Sequence, residues 1–371
     1  MVFRQGYGEI CTWCGIDGTD GRRALSQLVR ITAVHGSQVI LERPLFFGFS
    51  AKNFPSAQKI DMLNGAGIED CALETLIGGS TDGYRYNVTA TAVAGFWMKN
   101  VKSFRCVRAH LFLSYGVACE IRDSFFYDAH IHASNGSYGI WLFGPNSDNL
   151  IVNNKVLKCP PSFIMSGGGS GNVIAYNYFR QAFYDHTDWF SPTISTHGAH
   201  PFMNLFEGNI ADGVALDNTW GSSSHNTFLR NHFTMRRTDP PADYGIRAVD
   251  VEEHNYYESF IGNVLGEPGL QGTRQAGDCN DNYVLWRLGC PDYGAPGLPP
   301  DPYPALTVFR HGNYNYLTGE TEWDNTVVER RLPASLYLSA PPDFFAGYTW
   351  PPIGPDVRGK VSPLPAASIG D

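Results

Sequence analysis

Charge is what this sequence has least of. Only 17% of its 371 residues are acidic or basic, and they sum to a net charge of -9. No basic run exists to neutralise phosphates, which excludes nucleic acid and anionic membrane surfaces as partners. Apolar runs long enough to cross a bilayer are missing too, so membrane insertion is not expected. The start, MVFRQGYGEICTWCG, lacks the charged and apolar stretches of a signal peptide. Of eight cysteines only Cys11 and Cys14 have ligand-like spacing. A four-thiolate zinc site needs a second such pair, so no metal is expected there. The glycines of MSGGGSGN are followed by no Lys-Ser/Thr, which removes a phosphate loop. No apolar period of 3.6 residues persists over a dozen positions, so long helices are absent as well.

What is there is a repeat. Asn100, Asp123, Asn154, Asn177, Asn209, Asn231 and Asn263 align in segments of the form apolar-x-x-Asn-x-apolar, with one exception at each flank, Glu120 before Asp123 and Lys102 after Asn100. Three residues before them stand Trp97, Glu120, Ile151, Ile174, Phe206, Phe228 and Phe260. The spacings alternate: 23, 31, 23, 32, 22 and 32 residues. A period in this range marks a solenoid, and the short β-branched and aromatic runs between turn residues make its units strands. The expected fold is all-β, a parallel β-helix of about 22 residues per turn. The Asn is then a corner residue, tolerant of left-handed backbone and able to stack its amide on the next coil.

Every second coil carries about ten extra residues, near 126–137, 180–192 and 234–243. A solenoid gathers such insertions on one face, often the one that binds. Strand alternation turns Trp141, Phe143, Ile164, Ser166, Ser195, His197, Ala215, Asp217, Arg247 and Val249 outward on that face. Extending the register backwards adds His110, Phe112 and Ser114. His197 and Asp217 thereby become neighbours on consecutive coils, and Asp217 is the only carboxylate in the strip.

The segments NNKVLK, AYNYF, LFEGNI and LRNHF resemble the right-handed parallel β-helix proteins of the pectate-lyase-like superfamily over roughly residues 60–270. HGAHPFMNLFEGN at 197–209 is similar to a segment of uncharacterised bacterial secreted members. The resemblance implies a right-handed coil with long loops on one face. It also implies an enzyme that degrades polysaccharide as a glycoside hydrolase or a polysaccharide lyase. Calcium is the ion of the superfamily's lyases, which gather several Asp on adjacent coils, a pattern absent here.

For acid–base work on a sugar, Asp217 and His197 are the leading candidates, with Asp185, His186 and Asp188 on the overhanging loop. Substrate contacts are expected from Trp141, Trp189 and Trp220 as stacking platforms, and from Tyr184, Arg247, His200, His130 and His132. Glu252, Glu253 and His254 read as a solvated turn. Hydrolysis is preferred to β-elimination because carboxylates and His outnumber Lys near the strip. Under elimination, His197 or Tyr184 is the base and Arg247 neutralises a uronate. A non-catalytic glycan-binding surface protein and a trimeric phage-type depolymerase are the other readings.

Residues 24–50 alternate like a hairpin around Gly36-Ser37, and residues 331–371 read as an extended tail laid along the coil. We expect one domain, a monomer, with an N-terminal cap over 1–59, the coil over 60–270 and a loop-rich extension over 271–371. The even cysteine count suits an exported protein, extracellular or periplasmic, with Cys279–Cys290 the easiest disulfide to close.

Overall fold

The computed structural model describes residues 1–5, 25–77, 85–133, 136–291 and 299–370. Cys11 and Cys14 lie outside the described residues. Among those described, the only α-helix is the short Tyr303–Thr307, and the fold is all-β, built on long parallel sheets. No helix is long and apolar enough to cross a membrane among these residues.

One sheet carries the strands Ala109–Val117, Tyr138–Phe143, Phe163–Ser166, Ile194–Thr196, Val214–Leu216, Arg247–Val251 and Val284–Leu288, side by side in that order. All pair in parallel. A second long sheet closes on itself and holds two further rows. Leu150–Val152, Val173–Ala175, Leu205–Glu207, Thr227–Leu229 and Ser259–Ile261 make one, each bonded to the strand one repeat later. The segment Gly67–Glu74 joins it as a strand parallel to Trp97–Cys106. Inside the stack, Phe206, Phe228 and Phe260 lie face to face at 4.6 and 4.5 Å between centroids. All three are fully buried, so the aromatic column of the repeat forms the core.

The Asn rows are hydrogen-bonded ladders. Asn209 shows the pattern: its Nδ2 donates to Ile174 O at 2.8 Å and to Asn231 Oδ1 at 2.9 Å. Its Oδ1 accepts from the backbone N–H of Asn177 at 2.9 Å and from Asn177 Nδ2 at 3.0 Å. All four capacities of the amide are used, which a buried polar side chain requires. The row runs through Asn154, Asn177, Asn209, Asn231 and Asn263 and continues to Asn313. A second row, unseen in the repeat, links Asn149, Asn172, Asn204 and Asn226 and ends on Glu258.

Two members of the expected column belong elsewhere. Glu120 pairs with Leu150, not Ile151, so Asp123 stands beside Asn153 and the ladder position before Asn154 is Ser124. Asn100 and Asp123 occupy the bend itself, with φ of 51° and 53°. The left-handed residue of each corner precedes the ladder Asn: Asn153, Tyr176, Gly208, Arg230 and Gly262 fill that place. An amide is useful at either of two adjacent corner positions, which is why the pattern slipped by one.

The hairpin Ile31–His35 with Gln38–Leu41 turns at Gly36, whose φ of +60° suits glycine. Cys279 and Cys290 form a disulfide, while Cys71, Cys106, Cys119 and Cys159 are free thiols. The C-terminal segment packs Phe345, Ile353, Leu364 and Ala366 against Val152, Ala175, Tyr176, Ile210 and Val264.

Candidate active site

Parallel pairing sets Ser195 beside Ala215 and Thr196 beside Leu216, and Asp217 N donates to Thr196 O at 3.1 Å. The next residues, His197 and Asp217, therefore leave adjacent strands on the same face. Imidazole Nδ1 lies 2.8 Å from Asp217 Oδ2. Ser195 Oγ donates to the same oxygen at 3.2 Å, and Thr219 N donates to Oδ1 at 3.2 Å. The carboxylate is thus fixed by three groups and presents one of its oxygens to the histidine.

The pair lies in a cleft of about 570 Å³. Its floor is the sheet face with Ile164, Ser195, Ala215 and Asp250, and its overhang is the second insertion with Tyr184, His186, Asp188 and Trp189. Tyr184 stacks on Trp189 at 5.8 Å and 17°. The overhang is joined to the third insertion, because Phe190 N donates to Tyr244 O at 2.7 Å and the N–H groups of Asp243 and Tyr244 donate to Asp188 O. Arg237, only 4% exposed, locks this joint by donating to the carbonyls of Ala182, Trp189, Thr187 and Pro240. The first insertion adjoins on the other side: His132 stacks on Phe183 at 4.0 Å, and Asp185 N donates to His132 O.

Burial pushes the Tyr138 phenol up to about 12, the Asp217 carboxylate adding to the rise against Arg108. Burial, with Tyr138 and Asp217 beside it, raises Tyr184 well above its ordinary value. Both phenols are therefore donors near neutral pH, not bases.

Of the residues picked from the sequence, the cleft gathers His197, Asp217, His186, Asp188, Tyr184, Trp189 and Arg247. The others are placed differently. Asp185 is exposed on the overhang and Trp220 is 54% exposed beyond the strand end, neither of them lining the cleft. Trp141 points to the same face, but it is covered by Tyr138 and Phe112 and donates to Ser166 Oγ at 3.0 Å. His200 is fully buried between Ser222 and Ser224, and burial lowers it to about 3. His130 bonds Thr75 O, and His132 bonds Phe183 O and Asp128, so both tie loops together. His110 is buried against Ser103 and Asp128 O.

Three residues in or beside the cleft had no site role in the sequence reading: Asp250, Glu252 and Arg287. Asp217 is not the only carboxylate of the strip. Ala248 and Val249 both enter the core, so alternation slips and Arg247 and Asp250 share the outer face in place of Val249. Asp250 stands beside Ala215, and Arg287 beside Asp250. Arg287 Nε is 2.9 Å from both Asp250 oxygens, and Nη2 is 2.8 Å from Glu252 Oε1. Glu252 belongs to no solvated turn: it is 4% exposed, and its Oε2 accepts from Asn218 N at 3.0 Å. These oxygens are engaged by a guanidinium and an amide, which does not fit a calcium ion. Among the described residues no three His, Cys, Asp or Glu gather as metal ligands.

The chain matches no protein-family model, no curated protein and no solved structure.

Proposed function

We propose that the chain is an exported right-handed parallel β-helix enzyme that hydrolyses a polysaccharide laid across this cleft. Repeat-by-repeat pairing in both long sheets and the Asn rows at their corners support the coil, and the Cys279–Cys290 disulfide supports an oxidising compartment. The observation that carries the activity is the His197–Asp217 pair at 2.8 Å under an aromatic overhang.

The chemistry follows from the contacts. With Nδ1–H donated to Asp217, Nε2 becomes the basic nitrogen of His197. It takes a proton from water as the water oxygen bonds to the anomeric carbon. The glycosidic C–O bond breaks, and its oxygen receives a proton from His186 or Asp188, which line the opposite wall. The faces of Tyr184 and Trp189 suit the apolar faces of sugar rings.

Charge favours a neutral polymer and therefore hydrolysis over elimination. Asp188, Asp217, Asp250 and Glu252 line the cleft against one arginine, Arg247, and Arg287 beside them is bonded to two of these carboxylates. A uronate would meet net negative charge, and Tyr184, held protonated, is a poor base for elimination.

The test is a panel of neutral and uronic glycans incubated with the protein and with His197→Ala and Asp217→Ala. New reducing ends that disappear in both variants support hydrolysis. A new ultraviolet-absorbing double bond on a uronate polymer replaces it with a lyase. If no polymer shortens and the variants bind glycan as the parent does, the protein is a glycan-binding module and the enzyme reading fails.

A further inference from the structure

We propose that Arg287 is a positioning residue that sets the protonation of the His197–Asp217 pair from the neighbouring strands. The inference rests on reading that pair as the reactive one, though not on which polymer it cleaves.

Arg287 is 2% exposed, and Asp250 and Glu252 beside it are 7% and 4% exposed. Its guanidinium engages both carboxylates, through Nε to Asp250 and Nη2 to Glu252. Arg247 Nη1 meets Asp250 Oδ2 at 3.2 Å. Two acids and two bases thus close into a buried network with no net charge, one strand from Asp217. The network also reaches the pair through the chain. Glu252 Oε2 holds Asn218 N, and Asn218 Nδ2 donates to Glu253 Oε1 at 2.6 Å. Asn218 sits between Asp217 and Thr219, whose N–H donates to the Asp217 carboxylate. The turn that aims Asp217 at His197 is therefore pinned by Glu252, and Glu252 by Arg287.

The remaining ionisable groups lining the cleft with the pair are His186 and Asp188 on the overhang and the phenols of Tyr138, Tyr184 and Tyr244. Both variants below retain all of them. Removing the Arg287 charge leaves Asp250 and Glu252 underbalanced, which favours the imidazolium of His197. Removing the Glu252 charge leaves surplus positive charge, which disfavours it.

The experiment is a histidine-labelled NMR titration of the full chain, with the His197 signal assigned by its loss in His197→Ala. Arg287→Met is expected to raise the His197 midpoint by about 1 pH unit, and Glu252→Gln to lower it by a similar amount. Gln keeps the shape of Glu and an oxygen for Asn218 N, so this variant decides alone if Arg287→Met does not fold. Opposite shifts carry the proposal. An unmoved midpoint in Glu252→Gln, or shifts of the same sign in both variants, overturns it. The titration reads the same whether or not any glycan is cleaved, so failure of the hydrolase reading and failure of this one are told apart.

Discussion

The guanidinium of Arg230 grips the carboxylate of Asp356 with two bonds, Nη1 to Oδ1 at 2.7 Å and Nη2 to Oδ2 at 2.8 Å, across 126 residues of chain. Arg230 is 1% exposed and also donates to the carbonyls of Leu332, Pro333 and Ile353. Two repeats earlier in the corner column, Tyr176 donates to Glu207 at 2.7 Å and accepts from Trp350 at 3.0 Å, while Glu207 holds Leu336 N. The C-terminal segment is fastened to the sheets by polar anchors as well as by its aromatic packing.

Asp356→Asn keeps the shape and drops the charge, leaving a buried cation with carbonyl partners only. A loss of about 1–2 kcal/mol is expected, read as a lower urea midpoint. Limited proteolysis should then release the segment after residue 331 sooner than in the parent. Unchanged proteolysis would show that packing alone holds it.

Asp217→Asn is the sharpest probe of the proposed reactive pair. The amide can donate to Nδ1, which moves the proton to Nε2 and removes the base. Turnover should fall by roughly 10²–10⁴-fold, with KM nearly unchanged, measured on whichever polymer yields reducing ends. A comparable loss in KM alone would assign Asp217 to binding instead.

Asn209→Ala strips four buried partners at once: Asn177 N, Asn177 Nδ2, Ile174 O and Asn231 Oδ1. Each orphaned group costs about 1–3 kcal/mol, so the variant should lose about 3 kcal/mol or more. Asn209→Ser should fall between, because Ser124 already accepts a backbone N–H, that of Val101, at the same ladder position. Chemical denaturation of the three proteins checks the order.

Stability should depend on pH through Glu258. Burial raises its carboxyl from 4.5 to about 8, even though Ser223 and Asn226 donate to it. Between those values the folded chain holds a proton that the unfolded chain has released, so stability falls as pH rises through this window. Glu258→Gln removes that slope, and its melting temperature should overtake the parent's toward pH 8. The buried histidines act at the acid end. His110 and His200 are lowered to about 4 and about 3 by burial, so their contribution is lost as pH drops below the ordinary 6.5. Parallel melting curves for both proteins across this range would refute the Glu258 assignment.

The repeat was legible because an Asn between apolar residues is rarely tolerated unless stacking satisfies it. It misled by one residue at Asn100 and Asp123, where a different polar need, the left-handed bend, uses the same residue types. His197 and Asp217 were readable from period-2 alternation over short regular strands. Asp250 was not, because Ala248 and Val249 both turn inward and no local signal marks the slip. Trp141 and His200 failed for another reason. Facing outward does not make a side chain accessible: the strand neighbours Tyr138 and Phe112 pack over Trp141, and Ser222 and Ser224 enclose His200.

Both Asn rows have a direction. Every link passes its amide hydrogens toward the C-terminal side, and one row stops at Glu258, where an acceptor takes the place of an amide. Such a ladder can be lengthened only by whole units: a repeat spliced in anywhere must bring its own amide to each row, or the bonds on both sides of it are cut. Fragments of this chain should therefore be interchangeable at repeat boundaries and nowhere else, which makes the molecule modular for anyone wishing to shorten it or graft a new overhang.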